Sequence, residues 1–106
     1  MTQLPGVGYR SRMAEIEVGQ ETEHATSWAY EVTVFADGRT HRHQVTLSFQ
    51  DYDLWCRGRV SPSRVVEAAF RFLLQNEPAE AILPKFDCSV IRRHFADVDT
   101  RLPKLL

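Results

Sequence analysis

Two stretches of strict alternation dominate the first half of the chain. Trp28, Tyr30, Val32 and Val34 alternate with Ala29, Glu31 and Thr33, and Val45, Leu47 and Phe49 alternate with Gln44, Thr46 and Ser48. A period of two gathers each apolar set on one face of a strand. Asp37-Gly38 lies between them, a pair suited to the positive φ angles of a tight hairpin turn. With those two residues as the loop, Trp28 faces Leu47, Tyr30 faces Val45, Val32 faces His43 and Val34 faces His41. Glu31 opposite Gln44 and Thr33 opposite Arg42 then occupy the other face. A loop of odd length sets apolar residues opposite polar ones, so parity selects an even loop. A weaker alternation from Met13 to Val18 predicts an edge strand.

After Phe49 the period changes. Gln50 to Cys56 reads as a short helical turn stopped by Gly58. Ser61-Pro62 opens the main helix, with serine as N-cap and proline at the first helical position, where its missing N–H has no partner to lose. Through Leu74 the residues are mostly apolar, and Glu67, Arg71 and Gln75, four apart, mark one polar face. A helix apolar over most of its circumference is covered on most sides. It ends before Pro78, because the residue ahead of a proline is pushed out of the α region. Ala79 to Leu83 reads as a short helical piece. Asp87 reads as the N-cap of a final helix running through Phe95, with Ile91 and Phe95 on one face. The segment from Asp97 to Leu106 shows no clear period.

These elements predict an α+β domain: an antiparallel β-hairpin sheet of about three strands packed against a C-terminal helical half. Residues 1–12, with Pro5, Gly6 and Gly8, read as a flexible N-terminal tail, and residues 13–106 as a single domain. Met13 is a second candidate for the first residue of the chain.

Composition changes this picture little. At 106 residues, 43% hydrophobic and 25% charged, the chain fits one globular domain with a true core. The net charge of −1 argues against a global field for nucleic acid or anionic membranes. It is unevenly spread, −4 over the first 53 residues and +3 over the rest, an asymmetry that could orient two copies or two partners. Cys56 and Cys88 stand apart without a C-x-x-C, unlike a disulfide-stapled secreted domain. With neither an apolar run of about 20 residues nor a signal-like start, the expected location is the cytoplasm.

Candidate chemistry is sparse. His41 and His43 project from one face of a strand and could reach one metal, with His24, Cys88 or a carboxylate as a third ligand, but no spacing places that ligand. Cys88 or Cys56 could pair with a histidine as a nucleophile, and a helix start at Cys88 would favour a thiolate, but the preferred reading of either is a small buried hydrophobe. Arg57, Arg59 and Arg64 with Trp55, and later Arg92, Arg93, Arg101 and Lys104, could contact phosphates while the aromatic stacks on a base. The order of strand, short helix, Gly-containing turn and Ser-opened helix resembles the ribbon-helix-helix DNA-binding family. The match is poor, because the intervening helix is too short and Val45 to Ser48, the would-be ribbon, already pairs with Trp28 to Val34. Gly6-Val7-Gly8 lacks the strand and helix of a phosphate loop. The pairs Asp51/Asp53 and Asp97/Asp99 read as caps and solvated charge.

One broader resemblance covers Tyr30 to Phe95. Val32-x-Val34, Tyr52 with Trp55, Ser61-Pro62, the run Ala68, Phe70, Phe72, Leu73 and Leu74, and the closing Phe86-Asp87-x-x-Val90-Ile91-x-x-x-Phe95 resemble a group of small bacterial proteins. Trp55 stands where the group carries leucine, or Leu54 fills that role from the preceding position. The resemblance implies a fold and no activity, since its residues are those assigned above to core, turns and caps.

The functional expectation is accordingly a non-enzymatic protein-binding or regulatory module of a bacterial cell, with a protein partner or a second copy of itself, and with no cofactor. The alternative is nucleic-acid binding through Arg57, Arg59 and Arg64 or through Arg92 and Arg93. A metal or thiol site at His41, His43 or Cys88 ranks third.

Overall fold

The computed structural model describes residues 14–106. The readings of residues 1–12 as a tail and of Met13 as a start lie outside them.

The hairpin forms as parity requires. Strands β2 (Ser27–Ala36) and β3 (Arg39–Ser48) pair antiparallel, with Trp28 on Leu47, Tyr30 on Val45, Val32 on His43 and Val34 on His41. Asp37 and Gly38 turn the chain at φ 55° and 75°, both in the left-handed region that the tight turn demands. Strand β1 (Glu15–Glu23) covers the free side of β2 and runs past the expected end at Val18. A register shift between Val18 and Glu21 restores pairing of Glu21, Thr22 and Glu23 with Tyr30, Ala29 and Trp28. The irregularity breaks the alternation, which is why the sequence pattern stops early. It contains Gly19, where a Cβ would lie 3.1 Å from the Glu31 carbonyl oxygen.

The sheet has four strands, one more than expected. Strand β4 (Lys85–Asp87) pairs parallel with Gln44, Val45 and Thr46 of β3, giving the order β1-β2-β3-β4. Three residues carry no readable period, and the pairing depends on a partner 41 positions away in sequence. The final helix is corrected with it. Asp87 does cap, accepting from the Ser89 N–H, but the chain then makes a 3-10 turn (Cys88–Val90) and the single-turn α3 (Ile91–His94). Phe95 already lies outside it, at φ −135°.

Helix α1 (Phe49–Cys56) starts at Ser48, whose hydroxyl accepts from the Asp51 N–H, and stops where Arg57 and Gly58 enter the left-handed region. Helix α2 (Pro62–Asn76) is capped by the Ser61 hydroxyl. Val65, Val66, Ala69, Phe70 and Phe72 of α2 are fully buried, while Glu67 and Arg71 form the expected ion pair on its wet face. The core lies between α2 and the sheet face carrying Tyr30, Val32, Val34, Val45 and Leu47. Trp28 is only half-buried, with its ring 4.5 Å from Phe49 and tilted by 59°, and edge-on to Tyr52 at one end of the sheet.

The periodless C-terminal segment belongs to this core. Its α4 (Val98–Arg101) and a 3-10 turn (Leu102–Leu105) bury Val98 and Leu102 completely. A polar network fastens it. Trp55 Nε1 donates to Asp99 at 2.8 Å, and the Arg92 guanidinium donates to both Asp99 oxygens and to Asp51 at 3.1 Å. The hydrogen bonds from Arg92 hold the Asp99 carboxyl below its usual range, against the effect of burial. Arg92→Ala should cost about 2 kcal/mol, less than a fully buried pair because 34% of the Arg92 side chain remains exposed. In urea unfolding, Arg92→Ala combined with Asp51→Asn should cost less than the sum of the two single changes, since the second removes the carboxylate left unpaired by the first.

Candidate functional site

Proline sets the geometry of an apolar crevice beside α2. Pro78 forces Glu77 into an extended conformation and ends α2, the chain makes a 3-10 turn (Ala79–Ala81), and Pro84 then leads into β4. The connection is too short to fold its apolar residues inward together. Ile82 is buried, but Leu83 is left 50% exposed. Leu73 of α2, Ile82, Leu83, Phe86, Ile91 and Phe95 thereby enclose a crevice of about 370 Å³. That is room for one or two large apolar side chains and falls within the range of ligand pockets.

Glu77 and His94 are the ionisable groups at this crevice. Burial pushes the Glu77 carboxyl above its usual range, and His94 partly offsets that. The wall is pinned to the sheet at two points. Leu83 accepts a hydrogen bond from His43 Nδ1 at 2.7 Å, and the Pro84 carbonyl accepts from the Gln44 N–H at 2.8 Å.

A second concavity of about 620 Å³ lies over the wet face of the sheet, lined by Gln20, Thr22, Glu31, Gln44, Lys85 and Asp87 among others. Its most constrained group is Asp87. Burial works to raise that carboxyl, but hydrogen bonds from Ser89 and Thr46 outweigh it and hold it low. Those bonds occupy the carboxylate with capping and with joining β4 to β3. The hollow is a polar sheet surface whose best acceptor is already used.

The residues singled out from sequence are dispersed. His41 and His43 do share a face, but His43 is buried, with its ring 5.3 Å from Phe70, and His41 is half-exposed. His24 sits in the β1–β2 turn, at the end of the hairpin opposite His41. Among the described residues no three His, Cys, Asp or Glu side chains are placed to hold one metal. Cys88 is a small buried side chain and not an activated thiol. Its side chain is completely buried, and burial, with Asp87 and Asp51 adding to it, pushes the thiol far up, away from the reactive form. Cys56 is buried as well, with its thiol directed at the Val60 carbonyl.

Arg57, Arg59 and Arg64 are exposed around the α1–α2 turn and make no ion pair among the described residues. Arg92 is withdrawn as a phosphate ligand by its two carboxylate partners, which leaves Arg93 the exposed member of that pair. Arg101 is spent on Asp97 and on the face of Phe72. Sequence reading missed the crevice altogether, including Glu77 and His94. The one available signal was Ile82-Leu83 confined between two prolines, an apolar pair with too little chain to bury both.

No known protein family, curated protein or solved structure matches the chain.

Proposed function

We propose that the protein is a non-enzymatic protein-binding module that docks a segment of a partner polypeptide in the crevice between α2, Leu83 and α3. The observation that carries this reading is the crevice itself. It holds apolar lining and a half-exposed leucine. Leu83 is the exposed large apolar side chain at this concavity, and with the partly buried Phe86 and Phe95 it offers a continuous apolar contact surface. Its chemistry favours a segment with one or two large apolar side chains beside a basic one. Glu77 lines the crevice as the C-cap of α2, whose C-terminal end adds partial negative charge there. Both cysteines lie away from the crevice and are buried. No helix among the described residues is long and apolar enough to cross a membrane, and the partner is sought among cytoplasmic proteins. The resemblance to small bacterial proteins brings no activity of its own to this reading.

The test uses two leucines of nearly equal exposure, Leu83 at the crevice and Leu54 on α1, exposed 50% and 53%. A photo-crosslinking residue is placed at either position and activated in cells. The expected result is a discrete polypeptide adduct from position 83, absent from position 54, resistant to nuclease and diminished by Glu77→Lys. Equal labelling from both positions, or none from 83, overturns the reading. An adduct removed by nuclease would transfer the function to Arg57, Arg59 and Arg64.

A further inference from the structure

His43 is the one buried histidine of the described residues, and the docking reading makes no use of its chemistry. It is 5% exposed and belongs to three elements at once: the middle of β3, the underside of α2 through Phe70, and the Leu83 carbonyl of the crevice wall. A carbonyl can only accept, so the 2.7 Å contact requires the proton on Nδ1. In a neutral ring Nε2 then carries a bare lone pair, and Nε2 is buried without a partner among the described residues. Buried polar atoms are nearly always satisfied, so this exception calls for a reason. The arrangement suits the neutral imidazole and no other form. A second proton would place an N–H and a positive charge in an apolar pocket where the described residues offer no acceptor.

The surroundings offer little relief. Val32 of β2 lies across from His43, Phe70 faces it from α2, and the connection to β4 contributes the Leu83 carbonyl. Lys85 lies on the opposite sheet face, paired with Gln44. His41, two positions along the same strand, is a further potential cation. Burial lowers the tendency of His43 to take a proton, the Leu83 carbonyl opposes this, and His41 adds to the lowering.

We infer that His43 is a pH-sensitive latch: neutral, it pins the Leu83 wall of the crevice to the sheet, and protonated, it must leave its pocket and release that wall. The sign follows from linkage. A histidine that resists protonation in the closed form contributes stability that is complete above its ordinary value near 6.5 and is lost as the pH falls below it, because only the opened form takes the proton there. Glu77 acts in the opposite sense. Its carboxyl is raised by burial, so acid favours the closed form at that group, and an opening on acidification cannot be assigned to it. The latch is a property of the free protein. Its consequence, partner release in acid, rests on the docking reading above.

The experiment therefore needs no partner. Hydrogen exchange of the Gln44 amide, which donates to the Pro84 carbonyl, reports the attachment of the wall, and the Arg57 amide, which donates to Asp53, serves as a distant control. Between about pH 7.5 and about pH 5 the protection factor of Gln44 should fall several-fold while that of Arg57 holds. Over the same range the imidazole NMR signals of His43 should report the Nδ1–H tautomer and titrate below the ordinary histidine value. His43→Gln, which keeps a donor for Leu83 and cannot titrate, should abolish the pH dependence. Gln44 protection independent of pH, a His43 titration at or above the ordinary value, or a pH dependence that persists in His43→Gln would each overturn the latch. Should His43→Gln fail to fold, the wild-type titration and exchange decide by themselves. Failure of the crosslinking experiment leaves these readouts untouched, so the two ideas stand or fall separately.

Discussion

Phe70→Ala is expected to lower the unfolding free energy by about 3–5 kcal/mol, a large share of what a domain of this size possesses. Phe70 is fully buried at the middle of α2, with His43 at 5.3 Å on one side and Phe86 at 5.8 Å on the other. Truncation removes the transfer energy of the ring and leaves a cavity that helix and sheet cannot both close upon. Urea unfolding followed through tryptophan fluorescence measures the loss, with Leu54→Ala, an exposed change expected within about 0.5 kcal/mol, as the reference. A loss below about 1 kcal/mol for Phe70→Ala would mean that the ring is not enclosed and that α2 does not pack on the sheet through it. Because Phe86 lines the crevice, the variant should also lose any crosslinking from position 83, even under conditions where it remains folded.

Leu102→Ala should cost about 2–5 kcal/mol, although Leu102 lies close to the C-terminal Leu106. Leu102 is fully buried, as is Val98 before it, and the turn beginning at Leu102 packs against α2. Leu105, only partly buried, should lose less on the same change. Thermal melts separate the outcomes well, since each kcal/mol moves the midpoint of a domain this small by about 4–8 °C. If the C-terminal segment were a solvated strap, Leu102→Ala would leave the midpoint almost unchanged, and the attachment through Trp55, Asp99 and Arg92 would have to be abandoned.

These two residues differ in how much of their role the sequence revealed. Phe70 belongs to a run of apolar residues behind a Ser-Pro helix start, and its burial was expected from that alone. Leu102 has polar and charged neighbours, follows Arg101 and precedes Pro103, and is held by one short helical turn and one 3-10 turn. Segments so short have no period to display, and their stability comes wholly from what they are packed against. The same holds for β4, whose three residues become a strand only because Gln44 to Thr46 present unpaired backbone groups beside them. Of the candidate site, the sequence displayed His43 without its partner, showed Arg92 as a free cation, and displayed neither Glu77 nor His94 as a member of anything. Each of those roles depends on a neighbour distant in the chain.

The sequence by itself determined the hairpin and its register, the stop of α1 at Gly58, and the cap, extent and polar face of α2. All are decided within a few residues, by parity, by turn conformation and by the first unsatisfied N–H groups of a helix. Only the tertiary structure decided the parallel fourth strand, the burial of the C-terminal turns, the pairing of Arg92 with Asp51 and Asp99, and the crevice under Leu83. These join positions far apart in sequence, where local preference is weak and the free energy of contact becomes available only after the core has brought the partners together.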